Sequence, residues 1–303
     1  MQQNRGVSPV NLPRQKLKKN AMAKGNTGNL LQHFVAIMVA DKIIRQLSDS
    51  TAIEYIDLFA MRPWEEINQA EDQFKKRIKA ITDQKQPSNH CVTSSYRKAF
   101  TSKYPDATPP IRRGFSYPNT ATLLEHGFPK QKWLMQLHDI DQSKQTALQE
   151  MIDKNGKIQG TVLGKWQNSL EKRSQAREGP VLAMLDPNQI NLKAGSDEAK
   201  LGVRQLISIA SEHKLNLFTN TLNLPAALLA FSYTDHEPDK VNRHLRQEID
   251  NAGWEDIVIE RITTRAHTGT RGRDSVHQGW IIHKNIKTLE LQAEWDSWLS
   301  TRI

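Results

Sequence analysis

Residues 256–285 read DIVIERITTRAHTGTRGRDSVHQGWIIHKN, and the way this stretch pairs decides the fold. DIVIERITT (256–264) is rich in β-branched residues and predicts a strand, and SVHQGWIIHKN (275–285) contains a second. The polar loop between them is too short for a helical crossover, so the two strands pair as an antiparallel hairpin. Upstream the pattern differs. Apolar residues recur at helical spacing over 26–47, and TAIEYIDLFA (51–60) reads as a strand ending in Asp57. A charged amphipathic helix is expected over 64–84 and an irregular or helical insertion over 86–120. A strand within 131–141, a helix directly after it, and a sheet-edge strand at 157–164 follow.

A short helix is expected at 166–175, then the buried strand VLAMLD (181–186), a helix at 198–214 and a strand at 215–222. A helix at 236–252, the hairpin and a helical tail at 287–302 complete the chain, with no internal repeat. Strands that alternate with helices indicate an α/β fold on a largely parallel sheet, closed here by the antiparallel hairpin. The expected organisation is a basic flexible arm at 1–22 and one domain at 23–303 carrying an insertion at about 62–120.

The 303 residues carry a formal charge of +9, which points to a polyanionic partner and above all to nucleic acid, RNA or DNA. A single cysteine, Cys91, excludes an intrachain disulfide and a multi-cysteine metal site, and fits a reducing, cytoplasmic setting. No apolar run reaches the roughly 18 residues of a membrane span, and the N-terminus lacks the apolar core of a signal peptide.

Parallel sheets place ligands at the carboxyl ends of their strands. Asp57, His138, Asp139 and Asp186 all fall at or just after such ends. His138, Asp139 and Asp141 offer an imidazole and two carboxylates. Alternate residues of a strand face opposite ways, however, and no HExxH or paired-cysteine pattern is present, so no metal site is expected. The loop 261–277 holds Arg261, Arg265, Arg271 and Arg273 against one acid, Asp274, and suits a phosphate grip. Arg97, Lys98, Lys103, Arg112 and Arg113 are interleaved with Tyr96, Phe100, Tyr104, Phe115 and Tyr117, a mixture that suits either base stacking or a small helical core.

In order along the chain, these motifs resemble the bacterial adenine-N6 methyltransferases of large-subunit ribosomal RNA, the RlmJ type, over about residues 23–285. The residues carrying the resemblance are KGNTGNLLQHFV with Gly25, Asn26 and His33, YIDLFA with Asp57, and FSYPNTATLL with Tyr117 and Pro118. LMQLHDID with His138 and VLAMLDPNQI with Asp186 and Pro187 continue the series. The resemblance implies a Rossmann-like class I methyltransferase fold and S-adenosylmethionine as cofactor. Gly25, Asn26, His33, Asp57, Gln136 and His138 would then face the cofactor, and Asp186, Pro187 and Asn188 would stand at the catalytic Asp-Pro-Pro-Tyr.

Departures from the family pattern fall where the chemistry would be. The family follows its first-strand acid with a glycine-rich turn, because a residue without Cβ lets backbone approach a ligand closely. Here the turn is LFAMRPWE, with no glycine. The ribose-holding Glu is replaced by Gln136, and Leu163 or Gly164 stands where an adenine-facing Asp is expected. Gln189 cannot stack on a flipped base as an aromatic ring does. The expectation is a methyltransferase-like protein with a degenerate cofactor site, a pseudoenzyme that binds nucleic acid as a non-catalytic or accessory subunit of a larger complex. Two alternatives stay open: an active adenine-N6 methyltransferase, and a divalent-metal hydrolase or nuclease using Asp57, Asp139 and Asp186.

Overall fold

Strand β1 (Ile53–Asp57) is flanked on one side by β4 (Trp133–His138) and on the other by β6 (Val181–Leu185), all three parallel. The computed structural model describes residues 27–48, 50–66, 72–82, 90–105, 116–164, 179–186, 189–191, 200–202, 207, 223–233, 238–268, 273–287 and 289–300. Beyond β4 lies β5 (Ile158–Leu163), parallel, and beyond β6 lies β9 (Ala226–Tyr233), also parallel. The terminal hairpin, β10 (Val258–Thr268) and β11 (Arg273–Lys284), joins through its second strand, which inserts antiparallel between β9 and β10. Among the described residues the large sheet has seven strands, in the order β10-β11-β9-β6-β1-β4-β5.

Both faces of this sheet are covered, which is why β1 and β6 read as unbroken buried runs instead of alternating ones. On one face Tyr55, Met135, Leu137, Leu182, Met184, Leu229, Phe231 and Ile281 join the larger core. The helices there are α1 (Thr27–Ile44), α2 (Asp72–Thr82), α3 (Cys91–Lys103), α4 (Thr120–Gly127), α5 (Gln142–Asp153) and α7 (Leu291–Ser300). On the other face Ile56, Ala183, Leu185, Leu228, Ala230, Trp280 and Ile282 pack with Val241, Leu245 and Ile249 of α6 (Pro238–Asn251). Helix α1 is buried almost all round because the sheet, α3, α4 and α7 enclose it.

The segment between β1 and α4 is tied at its base by β2 (Trp64–Glu66) paired antiparallel with β3 (Ser116–Pro118). Its helices α2 and α3 share the larger core: Phe74, Ile78, Tyr96 and Phe100 all belong to it. Residues 64–66, expected to open a helix, are instead that β2 strand. The cross-strand partners Tyr117 and Pro118 lie far away in sequence, so local periodicity could not announce them. Residues 200–202, expected to be helical, form the short β8 (Lys200–Gly202) against β7 (Gln189–Asn191).

Strand β9 was not legible at all. AALLAFSY is Ala- and Leu-rich, which favours helix locally, and burial between two strands overrides that preference. The strand expected at 215–222, the helix at 166–175 and the arm at 1–22 lie outside the described residues. The hairpin strands run further than expected. Arg265 and Arg273 sit in the ladder, opposite Val276 and Thr268 respectively, and not in a loop.

Candidate functional site

The chain builds β1, β4 and β5 outward in one direction and then returns to place β6 on the other side of β1. The switch in strand order therefore lies between β1 and β6, where open α/β sheets leave a crevice beyond the carboxyl ends. Asp57 ends β1, and Asp186 follows the last residue of β6. The register sets Asp57 beside Met184, which brings the two acids to the same edge.

Asp57 is 2 % exposed, and each of its carboxyl oxygens has a partner from its own strand or turn. The Phe59 N–H donates to Oδ1 at 3.0 Å, and the Tyr55 hydroxyl donates to Oδ2 at 3.0 Å. Tyr55 and Asp57 are two apart and so share one face of the strand. Burial nevertheless raises Asp57 to about 7, because desolvation outweighs these two hydrogen bonds and Asp139 adds a like charge. Asp186 is likewise raised to about 7 by desolvation, with Asp57 adding repulsion and a hydrogen bond from Gln32 of α1 opposing it. Two carboxyl groups that titrate near neutrality can each donate or accept a hydrogen bond there, and either can receive one from an amino group.

At the end of β4, Gln136 and His138 point to one face and their Nε2 atoms lie 2.9 Å apart. His138 is fully buried, and desolvation lowers it to about 4, so its ring is neutral near pH 7. Asp139 is held by Lys144 at 2.8 Å and accepts from the Asp141 N–H at 2.7 Å. Asp141 caps α5, its carboxylate accepting from the Ser143 N–H and hydroxyl, which holds it below the usual carboxylate range. Asp57, Asp186 and Asp139 do gather at one edge, yet no group of three His, Cys, Asp or Glu among the described residues is arranged to hold a metal ion.

The turn after Asp57 is fastened along its length. The Ala60 N–H donates to the His138 carbonyl at 2.8 Å, carrying the chain across the end of β4. The Met61 carbonyl accepts from Asn119 Nδ2 at 2.9 Å, and the Pro63 carbonyl accepts from the Asn119 N–H at 3.0 Å and the Thr122 hydroxyl at 3.2 Å. Both donor residues lie at the N-terminus of α4, which Asn119 caps. Arg62 reaches to the N-terminus of α5, its Nη2 donating to Ser143 Oγ at 2.7 Å. Of the turn residues Met61, Arg62 and Pro63, only Arg62 is exposed; Met61 packs against the larger core and Pro63 is buried.

His33 is buried between the rings of Tyr96 and Tyr117, with Nδ1 bonded to the Tyr96 hydroxyl, and desolvation lowers it to about 3. Gly25, Asn26, Pro187, Asn188, Arg112, Arg113 and Arg271 lie outside the described residues, and of Arg265 and Arg273 only the backbone is described. Tyr96, Phe100 and Tyr117 are core residues, Tyr104 is partly buried, and Phe115 lies outside the described residues. Gln32 and Tyr55 were missed by the sequence reading. For Tyr55 the signal was there, two residues before Asp57 in a strand, whereas nothing local ties Gln32 to Asp186.

No protein-family model matches the chain, and no curated protein matches it. Among solved structures, a Legionella pneumophila str. Philadelphia 1 protein of family DUF519 aligns with a TM-score of 0.56 at 11 % identity, over 91 % of this chain and 94 % of its own. M. jannaschii TYW2 in complex with AdoMet aligns at 0.37 and 8 % identity, over 87 % and 80 %. A SAM-dependent methyltransferase from Agrobacterium tumefaciens aligns at 0.39 and 8 % identity, over 85 % and 62 %. The chain has a Rossmann-like class I methyltransferase fold. Its mark is the reversed β11 inserted beside β9 in an otherwise parallel set. Among the described residues no helix is long and apolar enough to cross a membrane.

Proposed function

We propose that this chain is a nucleic-acid-binding protein of methyltransferase descent, related to the adenine-N6 enzymes of large-subunit ribosomal RNA, that works as a non-catalytic or accessory subunit. The observation that carries the reading is the fastened turn after β1. The fold implies S-adenosylmethionine, and a cofactor at this switch point needs backbone that yields room. Here the turn crosses the end of β4 and covers the N-terminus of α4, and Arg62 occupies a hydroxyl at the N-terminus of α5. Helix N-termini are where a fold ordinarily receives an anionic group, and both of these are already engaged by the chain itself. Gln136, in the place of a ribose-holding carboxylate, is bonded to His138. The residues present do not fit the cofactor. The +9 charge supports a nucleic-acid partner, as do the four arginines of 261–277. The arm at 1–22 and the insertion at about 62–120 belong to this same reading of one domain with appendages.

Two measurements test it. Calorimetry with S-adenosylmethionine up to millimolar concentration is expected to give no heat and no shift in melting temperature; micromolar binding would turn the reading to an active adenine-N6 methyltransferase. RNA and DNA binding is expected to weaken, with a flatter salt dependence, when Arg265, Arg271 and Arg273 are replaced by Ala. Unchanged affinity and slope would remove the hairpin from the interface.

A further inference from the structure

The amino edge of the sheet carries a cavity of about 450 Å³, a size that takes a small organic molecule. Its lining comes from the end of α4, the turn into β4, the first residue of β4 and the turn from α5 into β5. Strand β4 begins at Trp133 and ends at His138, so about 16 Å of strand, at about 3.3 Å per residue, separates this cavity from the edge that holds Asp57 and Asp186. The chain itself fixes the walls. The Trp133 N–H donates to the Lys157 carbonyl at 3.4 Å, the Lys157 N–H to Asn155 Oδ1 at 2.9 Å, and the Gln131 N–H to the Phe128 carbonyl at 3.0 Å. Asn155 Nδ2 donates to Glu125 Oε1, which joins the α5–β5 turn to the end of α4.

The buried part of the lining is apolar. Trp133 and Ile158 belong to the core, and the ring centroid of half-buried Phe128 lies 6.4 Å from that of Trp133. Trp133 is 1 % exposed, and its indole N–H has no acceptor among the described residues. A buried donor left without an acceptor is uncommon in folded proteins, where water or a ligand ordinarily completes it. Lys154 and Lys157 stand exposed on the same lining. Lys157 Nζ donates to the Pro129 carbonyl at 2.7 Å, and Lys154 Nζ lies 3.3 Å from Glu150 in an exposed pair. An ammonium has three donors, so each lysine keeps others for an anion. The one acid of the lining, Glu125, accepts from Asn155, and burial raises its carboxyl above the ordinary value, which lessens its negative charge.

We infer that this cavity binds a small organic anion, a flat ring bearing a carboxylate or a phosphate. The ring lies against Phe128, an acceptor atom of the ligand takes the Trp133 indole N–H, and Lys154 and Lys157 hold the charge. The two anions share this chemistry, since each presents oxygen acceptors to ammonium groups. The site is independent of the nucleic-acid reading above and lies at the opposite edge of the sheet.

The test is calorimetry of the full chain with phenylacetate and with phenyl phosphate, which share a ring and differ in the anion. Acetate, inorganic phosphate and benzyl alcohol serve as the anion-only and ring-only probes. At least one ring-bearing anion is expected to bind about tenfold or more tightly than its fragments, and the tighter of the two identifies the anion. Lys154→Gln/Lys157→Gln changes only exposed side chains and is expected to reduce that affinity to the level of benzyl alcohol. Trp133→Phe keeps a ring and removes the N–H; it is expected to weaken binding about tenfold. Its melting temperature should not fall, because the bond it deletes is one the free protein does not make. Wild-type protein that binds neither ring-bearing anion better than the fragments overturns the inference. So does unchanged affinity in either variant at an unchanged melting temperature. RNA and DNA binding is expected to be the same in Trp133→Phe as in wild type, so failure here and failure of the nucleic-acid reading are separate results.

Discussion

Replacing Asp57 by Asn should change how stability depends on pH, by an amount that can be worked out. The carboxyl is raised from 3.8 to about 7 by burial. A group raised in the folded state favours folding while protonated, so its contribution is fully present below pH 3.8 and is lost as pH rises towards 7. The full rise corresponds to about 4 kcal/mol, of which about 2–3 kcal/mol falls between pH 5 and pH 8. Asn is close to isosteric. Its Oδ1 can accept from the Phe59 N–H, and its Nδ2 can donate to the Tyr55 hydroxyl in place of the present bond. The substitution therefore removes the titration and keeps the geometry.

Other groups titrate over the same range with opposite sign. His33, His138 and His277 are all lowered by burial, so they favour the folded state increasingly as pH rises towards 6.5. The wild-type curve alone is consequently uninformative, and the difference between Asp57→Asn and wild type is the quantity to plot. Urea denaturation at pH 5, 6, 7 and 8 should show the variant gaining about 2–3 kcal/mol on wild type across the series, with most of the gain complete by pH 7. Removal of the Asp57 charge also relieves Asp186, which adds to the gain. A difference flat to within about 0.5 kcal/mol, within the error of linear extrapolation, would refute a desolvated acid at the end of β1.

Three further outcomes follow from the packing. Gly279→Ala would place a Cβ 2.8 Å from Phe231 Cε1 and 3.0 Å from Ile262 Cγ2, inside the ladder, so denaturation should show a loss of about 1–3 kcal/mol from overpacking. Gly160→Ala is expected to be worse, because its Cβ would meet the Met135 carbonyl oxygen of β4, which is backbone and cannot rotate away; the measurement is the melting temperature, and an unchanged value would contradict the β4–β5 register. Arg77 is buried and donates to the Trp298 and Leu299 carbonyls at the end of α7, with its guanidinium 5.4 Å from the Trp298 ring centroid. Arg77→Met should cost about 3 kcal/mol, and protease digestion of the folded protein should then release the C-terminal helix first.

Strand ends and the resemblance drew attention to Asp57, Gln136, His138 and Asp186 at the carboxyl edge, and which of them stand side by side follows from the strand order. Strand ends are visible in sequence because an apolar run stops at a polar residue. Which ends adjoin depends on the long connection between β5 and β6, which no local pattern encodes. The same limit hid β9, whose Ala-Ala-Leu-Leu run carries no alternation because both of its faces are buried. It also hid the hydrogen bond from Gln32 to Asp186, which joins a helix and a strand end more than 150 residues apart.

By itself the sequence determined the α/β class, the antiparallel terminal hairpin, the helices α1, α5 and α6, and the absence of glycine after Asp57. Each of these rests on local spacing or on a loop too short to do otherwise. Only the tertiary structure decided that β11 lies between β9 and β10, that Phe74, Tyr96, Phe100 and Tyr117 of the insertion are in the core, and that the turn after Asp57 is fastened to β4, α4 and α5. Those outcomes are set by which buried faces and unpaired backbone groups meet across long stretches of chain, and such pairings satisfy the whole core at once without marking any one segment.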